Sequence, residues 1–270
     1  MGDLVAEITL SRAVLASGIL VVEGDRDSKF FRPRLATGPE QILVGGGKQN
    51  VLLAVEEACR RGQLGVLGVV DDDCDSMLNA QPSCVHIVGT SERDLDTTLL
   101  RSAGLEAVIA EASDPRLLAD LEKTEGSVRA ALERKALIFG KVRLLARVSG
   151  WGIDFQRLNP RRFIRPGWRI DELAVTHAAA SLAGVAESEL RRELDALDVP
   201  ETEIYKVLHG HDTLAVLAEG LRFIGAKGFS EEGLAHELRL AYTESTGSVR
   251  GVLTAIRKWE AQNQPFKVLR

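Results

Sequence analysis

Two short apolar runs, Gly18 to Val22 and Leu64 to Val70, stop abruptly on carboxylates: Glu23 closes the first, and Asp71, Asp72 and Asp73 close the second. Neither run shows the gaps of a 3.6-residue repeat, and a polar turn follows each. That is the pattern of a parallel strand buried on both faces that delivers acids to the edge of a sheet. Neighbouring strands lie about 4.8 Å apart, so if these two are adjacent, Glu23, Asp71 and Asp73 converge outside one edge. Carboxylates that close repel one another and raise each other's pKa unless a cation holds them. A hard divalent ion with oxygen ligands is the simplest relief, and magnesium typically takes one or two carboxylates while keeping waters for a substrate phosphate. Glu23, Asp71 and Asp73 are the candidate ligands; Asp75 and Asp27 would bind a further ion or orient the first three.

The pattern around these runs predicts a doubly wound unit. Residues 4–16 read as an opening helix, or as an edge strand followed by a short helix. Asp27 to Arg32 would start a helix capped by Asp25 or Asp27 and limited by Pro33. Gln41 to Val44 is the second strand, and Gly45-Gly46-Gly47-Lys48 leads into a helix through about Arg61. The glycine-rich turn lacks the spacing of a nucleotide-binding P-loop. Lys48 starts its helix at the same sheet edge as Glu23 and Asp71, which makes it a candidate phosphate or transition-state contact. Cys84 to Val88 reads as a fourth strand with His86 packed inside it, and Ser91 to Ser102 as a helix beginning with Asp94-Leu95-Asp96.

Glu23-Gly24 after one strand and Asp71-x-Asp73 after a later one resemble the Toprim signature shared by topoisomerases, primases and OLD-type nucleases. Four segments in this order, 22–31, 45–51, 70–75 and 93–100, resemble a small family of OLD-related Toprim proteins that includes the Toprim effector of the PARIS anti-phage system. The resemblance covers roughly the first hundred residues well and the rest patchily. It implies an α/β fold, a Toprim-like Rossmannoid with a mainly parallel four-stranded sheet, followed by an α-helical C-terminal module. It also implies nuclease chemistry with magnesium or manganese. The family usually carries an acid two places after the aspartate that corresponds to Asp94, most often glutamate, where this chain has the shorter Asp96. First-turn acids also suit a helix dipole, so Asp94 and Asp96 keep that plain explanation too. A family Gly, basic residue and Asp resemble Gly210, His211 and Asp212, which implies a role for His211 near a scissile phosphate; Asp212 also reads as an N-cap.

From Gly126 onward the character changes to helices, so residues 1–125 are expected to form the α/β domain and 126–270 a helical one. Ser127 to Val148 is a long amphipathic helix whose basic residues meet either solvent, nucleic acid or a partner. The stretch 151–169 interleaves Arg157, Arg161, Arg162 and Arg165 with aromatics, a nucleic-acid candidate or else an arginine-rich connector anchored by its rings. Helical patterns follow at roughly 171–185, 188–197, 201–208, 212–224, 230–243 and 248–262.

A net charge of -5 argues against a generally basic nucleic-acid binder, although local clusters of either sign remain compatible with a nuclease. Three cysteines without CxxC spacing fit a reducing compartment, and no membrane-length apolar run or signal peptide is evident, so cytoplasmic residence is expected. The resemblance implies a nuclease acting on RNA or DNA, a toxic defence effector under a separate ABC-type ATPase; a homodimer is also possible. The alternatives are a non-catalytic metal-binding partner module of an ATPase complex, and a metal-dependent phosphatase or nucleotidyl transferase.

Overall fold

The computed structural model describes residues 2–243 and 250–270. Helix α1 (Gly2–Val14) opens the chain and leads to β1 (Ile19–Val22), α2 (Asp25–Phe31), β2 (Ile42–Val44), α3 (Lys48–Arg60) and β3 (Val66–Val70). The short α4 (Asp75–Leu78), β4 (Ile87–Gly89) and α5 (Leu95–Arg101) follow. The fold is α/β, with an all-parallel sheet in the order β2-β1-β3-β4. Strand β1 pairs with β2 through Leu20 and Ile42, and with β3 from Ile19 and Val66 to Val22 and Val69.

All four residues of β1 are buried, as are all five of β3, so both faces of the sheet are covered. That explains the continuous apolar runs, since alternation appears only where one face meets water. On one face Ile19, Val21, Val66 and Val70 share a core with Val5 and Ile8 of α1 and Val51, Val55 and Ala58 of α3.

The chain divides into two compact units, Met1–Leu95 with Gly247–Arg270, and Asp96–Thr246. The division falls ahead of the compositional change at Gly126, because α6 (Gly104–Ala112) and α7 (Pro115–Glu125) pack within the helical unit. That unit continues with α8 (Val128–Ser149), the two-stranded hairpin of β5 (Ile164–Arg165) and β6 (Arg169–Ile170), α9 (Glu172–Ala183) and α10 (Glu187–Ala196). It ends with α11 (Ile204–Val207), α12 (Gly210–Phe223) and α13 (Glu231–Ala241). The basic residues of α8 largely serve the fold: Arg129 grips Glu106 and the Leu100 and Ser102 carbonyls, Arg134 and Lys135 meet Glu125, and Arg143 meets Asp212.

Helix α14 (Arg250–Gln262) belongs with the α/β unit; Ser248, where its pattern begins in the sequence, lies outside the described residues. Buried Glu260 accepts the main-chain N–H groups of Val268 at 2.7 Å and Leu269 at 2.6 Å. The tail is then tied to the segments before β1 and after α2, with Gly18 and Ala36 donating to the Lys267 and Val268 carbonyls. In Glu260→Gln one amide oxygen can still accept both bonds but the charge is gone, so a loss of about 1 kcal/mol is expected in urea unfolding.

Several boundaries differ from the sequence expectations. The cap of α2 is Gly24 rather than Asp25 or Asp27, and Asp27, three residues on, reaches back to accept the Gly24 N–H at 2.9 Å. Strand β4 begins only at Ile87, and His86 just ahead of it accepts the Trp259 indole N–H at 3.0 Å. Helix α5 starts at Leu95, so Asp94 precedes it. Helix α12 starts at Gly210 with His209 as its cap, and Asp212 points to Arg143 instead of capping.

Candidate functional site

Parallel β1 and β3 end side by side, and the chain leaves β1 toward β2 on one side and β3 toward β4 on the other. In sheets of this kind the crevice outside the carboxyl ends, where strand order reverses, is where ligands bind. Glu23 stands there directly after β1, and its Oε1 accepts the main-chain N–H of Asp71 at 2.7 Å. Gly46 and Gly47 adopt positive φ of 71° and 123°, a turn in which the Gly47 N–H donates to the Glu23 carbonyl at 3.0 Å.

The Asp71–Asp75 turn is tightly held. Asp71 Oδ1 accepts the N–H of Leu95, the first residue of α5, at 3.2 Å. Asp72 accepts both the N–H and the hydroxyl of Ser76, at 3.0 and 2.9 Å, while its own N–H donates to Thr90. Asp73 donates its N–H to the Arg93 carbonyl at 2.8 Å. Asp73 and Cys74 take left-handed φ of 49° and 70°. Such conformations cost on the order of 1 kcal/mol or more each and persist only where surrounding bonds impose them, commonly at functional sites.

Lys48, at the start of α3, lies across this turn. Its Nζ donates to the Asp71 carbonyl at 2.5 Å and pairs with Asp75 at 2.8 Å and Asp73 at 3.3 Å. Burial disfavours the ammonium, but the bonds to Asp75 and Asp73 outweigh it and hold the pKa above the ordinary lysine value.

Two carboxylates of the rim also have raised pKa values, which for an acid means that the charged form is disfavoured. Burial raises Glu23 to about 7, opposed by the Asp71 N–H and Lys48 and reinforced by Asp73 and Asp27. Asp71 is driven well above the carboxylate range by burial first and then by Asp94, Asp27, Glu23 and Asp73. In comparisons with known proteins, no family model and no curated relative matches the chain.

Glu23, Asp27, Asp71, Asp73, Asp75, Lys48 and Asp94 therefore belong to one rim. Asp94 heads the charges acting on Asp71, a weight its place in the sequence did not reveal, because it is the Asp71 bond to Leu95 that folds the α5 start over the strand end. Asp96 is half-buried at the second position of α5. His211 is exposed on α12 in the helical unit. Arg157, Arg161, Arg162 and Arg165 are exposed around the β5–β6 hairpin of that unit. Thr90 went unnoticed in the sequence; its hydroxyl accepts the Asp72 N–H and donates to the Glu92 carbonyl at 2.7 Å, which ties the aspartate turn to the segment before α5.

A metal ion suits this rim by donor type, since its acids offer only oxygen ligands and two of them, through burial first and neighbouring carboxylates second, hold protons more tightly than usual. Among the described residues, no three such side chains are already arranged as a closed ion site. Lys48 supplies the positive charge at Asp73 and Asp75.

Proposed function

We propose that the chain is a metal-dependent nuclease of the Toprim type, cleaving RNA or DNA phosphodiesters with magnesium or manganese. The observation that carries it is the Glu23–Asp71 contact at the point where strand order reverses. The order of sequence segments that resembles OLD-related Toprim proteins supports it, and suggests a toxic effector in anti-phage defence governed by a separate ABC-type ATPase.

Glu23, Asp71 and Asp73 would hold the ion, with Asp75 and Asp27 beside them. Bound there, it would acidify a water and neutralise charge on the phosphate. The chain's own residues do the rest. Glu23, fixed at the end of β1 by the Asp71 N–H it accepts, would offer its carboxylate to the ion at the point where the two strands end together. Lys48 keeps the Asp71–Asp75 turn in its strained form and brings a cation to the rim where phosphate charge would develop.

Purified protein incubated with mixed RNA and DNA should cut one of them with magnesium or manganese and none in chelator. Absence of cutting with either metal removes the proposal. One observation favours a second alternative, a non-catalytic partner module of an ATPase complex: Lys48 already satisfies Asp73 and Asp75. That alternative predicts stable co-purification with the ATPase and no cleavage alone.

A further inference from the structure

The helical unit contains an open cleft of about 420 Å³ between the β5–β6 hairpin and the end of α12. Arg161 and Arg165 line it from the hairpin side, Arg222 and Phe223 from α12. The sequence places these two groups far apart, and the fold brings them together.

The walls are fixed from beneath. Trp168, with a left-handed φ of 53°, is buried and donates its indole N–H to the Val216 carbonyl at 2.9 Å. Its ring lies so close to Gly220 that a Cβ there would overlap it, so α12 and the hairpin meet only because residue 220 is glycine. The guanidiniums are oriented by single carboxylates: Arg161 by Glu231 at 3.0 Å, Arg165 by Asp171 at 2.9 Å and Arg222 by Glu219 at 2.5 Å. Their side chains remain 40 to 48% exposed. Arg157, Arg162 and Arg169 add exposed charge on the same segment, and among the described residues they make no ion pair; Arg162 and Arg169 donate to the Arg157 and Pro166 carbonyls. Phe223 is 48% exposed at the mouth.

Planar guanidiniums held in place suit phosphate oxygens, and an open aromatic face beside them suits a nucleobase. In a duplex the base faces are covered by their neighbours, so a ring such as Phe223 can stack only on an unpaired base. We infer that this cleft binds the unpaired segment of a nucleic-acid strand, with phosphates on Arg161, Arg165 and Arg222 and a base on Phe223. The inference rests on the chain being a nucleic-acid enzyme and narrows its substrate to strands with single-stranded character.

The test is fluorescence anisotropy of the full chain with a dye-labelled single-stranded oligonucleotide and a blunt duplex of equal length, in chelator so that nothing is cut. Phe223→Ala should weaken single-strand binding about tenfold and leave duplex binding unchanged, and Phe223→Trp should restore it. Arg222→Ala should weaken both and lower the salt dependence by about one counterion. Both residues are surface positions, and unchanged thermal melts would exclude misfolding. No strand binding by the wild type, equal affinity for strand and duplex, or wild-type binding by Phe223→Ala overturns the inference. A strand held here by a protein that cuts nothing with either metal removes the nuclease proposal alone. Cleavage by Phe223→Ala at an unchanged KM removes this one alone.

Discussion

Glu23→Gln is expected to lower metal-dependent cleavage at least a hundredfold while leaving the fold intact. The amide oxygen of glutamine can still accept the Asp71 N–H now held at 2.7 Å, so the geometry between the ends of β1 and β3 survives. What disappears is the negative charge that a cation would meet; losing a residue that only orients a metal ligand already costs about 10- to 100-fold, and losing a ligand costs more. Equal rates for Glu23→Gln and wild type in a magnesium assay would remove Glu23 from the chemistry.

The same substitution has a second expected result, in chelator and without substrate. The folded-state pKa of Glu23, about 7, lies above its ordinary value of 4.5. Between those pH values the folded chain keeps a proton that the unfolded chain has released, so stability falls as pH rises through the window. Solvent screening of a half-buried side chain limits the loss to about 1–2 kcal/mol. Glu23→Gln, which does not titrate, should match wild type near pH 4.5 and exceed it by that amount at pH 8 in urea unfolding. A difference that does not change with pH would mean that the carboxylate is not held in this environment.

The rim was legible in the sequence because strand ends are written in one dimension: Val22-Glu23 and Val70-Asp71 need only adjacency to converge, and β1 and β3 do pair. The rotation of each acid was not. Asp72 and Asp73 are neighbours in the chain, yet one is buried capping Ser76 and the other faces Lys48, because left-handed residues at 73 and 74 turn the backbone between them. Asp27 looked like a cap or a ligand, and it bonds to the Gly24 N–H as a first-turn acid while its charge still acts on Glu23 and Asp71. The return of α14 to the α/β unit had no local signal, since the tail that follows it is joined there by the distant Gly18 and Ala36 N–H groups, which donate to the Lys267 and Val268 carbonyls. The α12 wall of the arginine cleft was equally hidden, because nothing near Phe223 in sequence refers to Arg161.

In the helical unit, Arg143→Ala should cost about 3–5 kcal/mol in urea unfolding. Arg143 Nε and one Nη donate to the two oxygens of Asp212 at 2.6 and 3.0 Å, joining α8 to α12 where both side chains are at least 85% shielded from water. Removing the guanidinium leaves a carboxylate buried without its partner, and that desolvated charge, more than the lost attraction, sets the cost. The guanidinium also covers the Phe155 ring at 4.1 Å, so alanine forfeits packing as well. Replacing both partners separates these effects: Arg143→Met with Asp212→Leu keeps volume and removes both charges, and should return to within about 1 kcal/mol of wild type. His211, one residue away but exposed, should tolerate alanine with less than about 0.5 kcal/mol of change. A double variant as unstable as Arg143→Ala alone would show that the pair supplies a contact that apolar packing between α8 and α12 cannot replace.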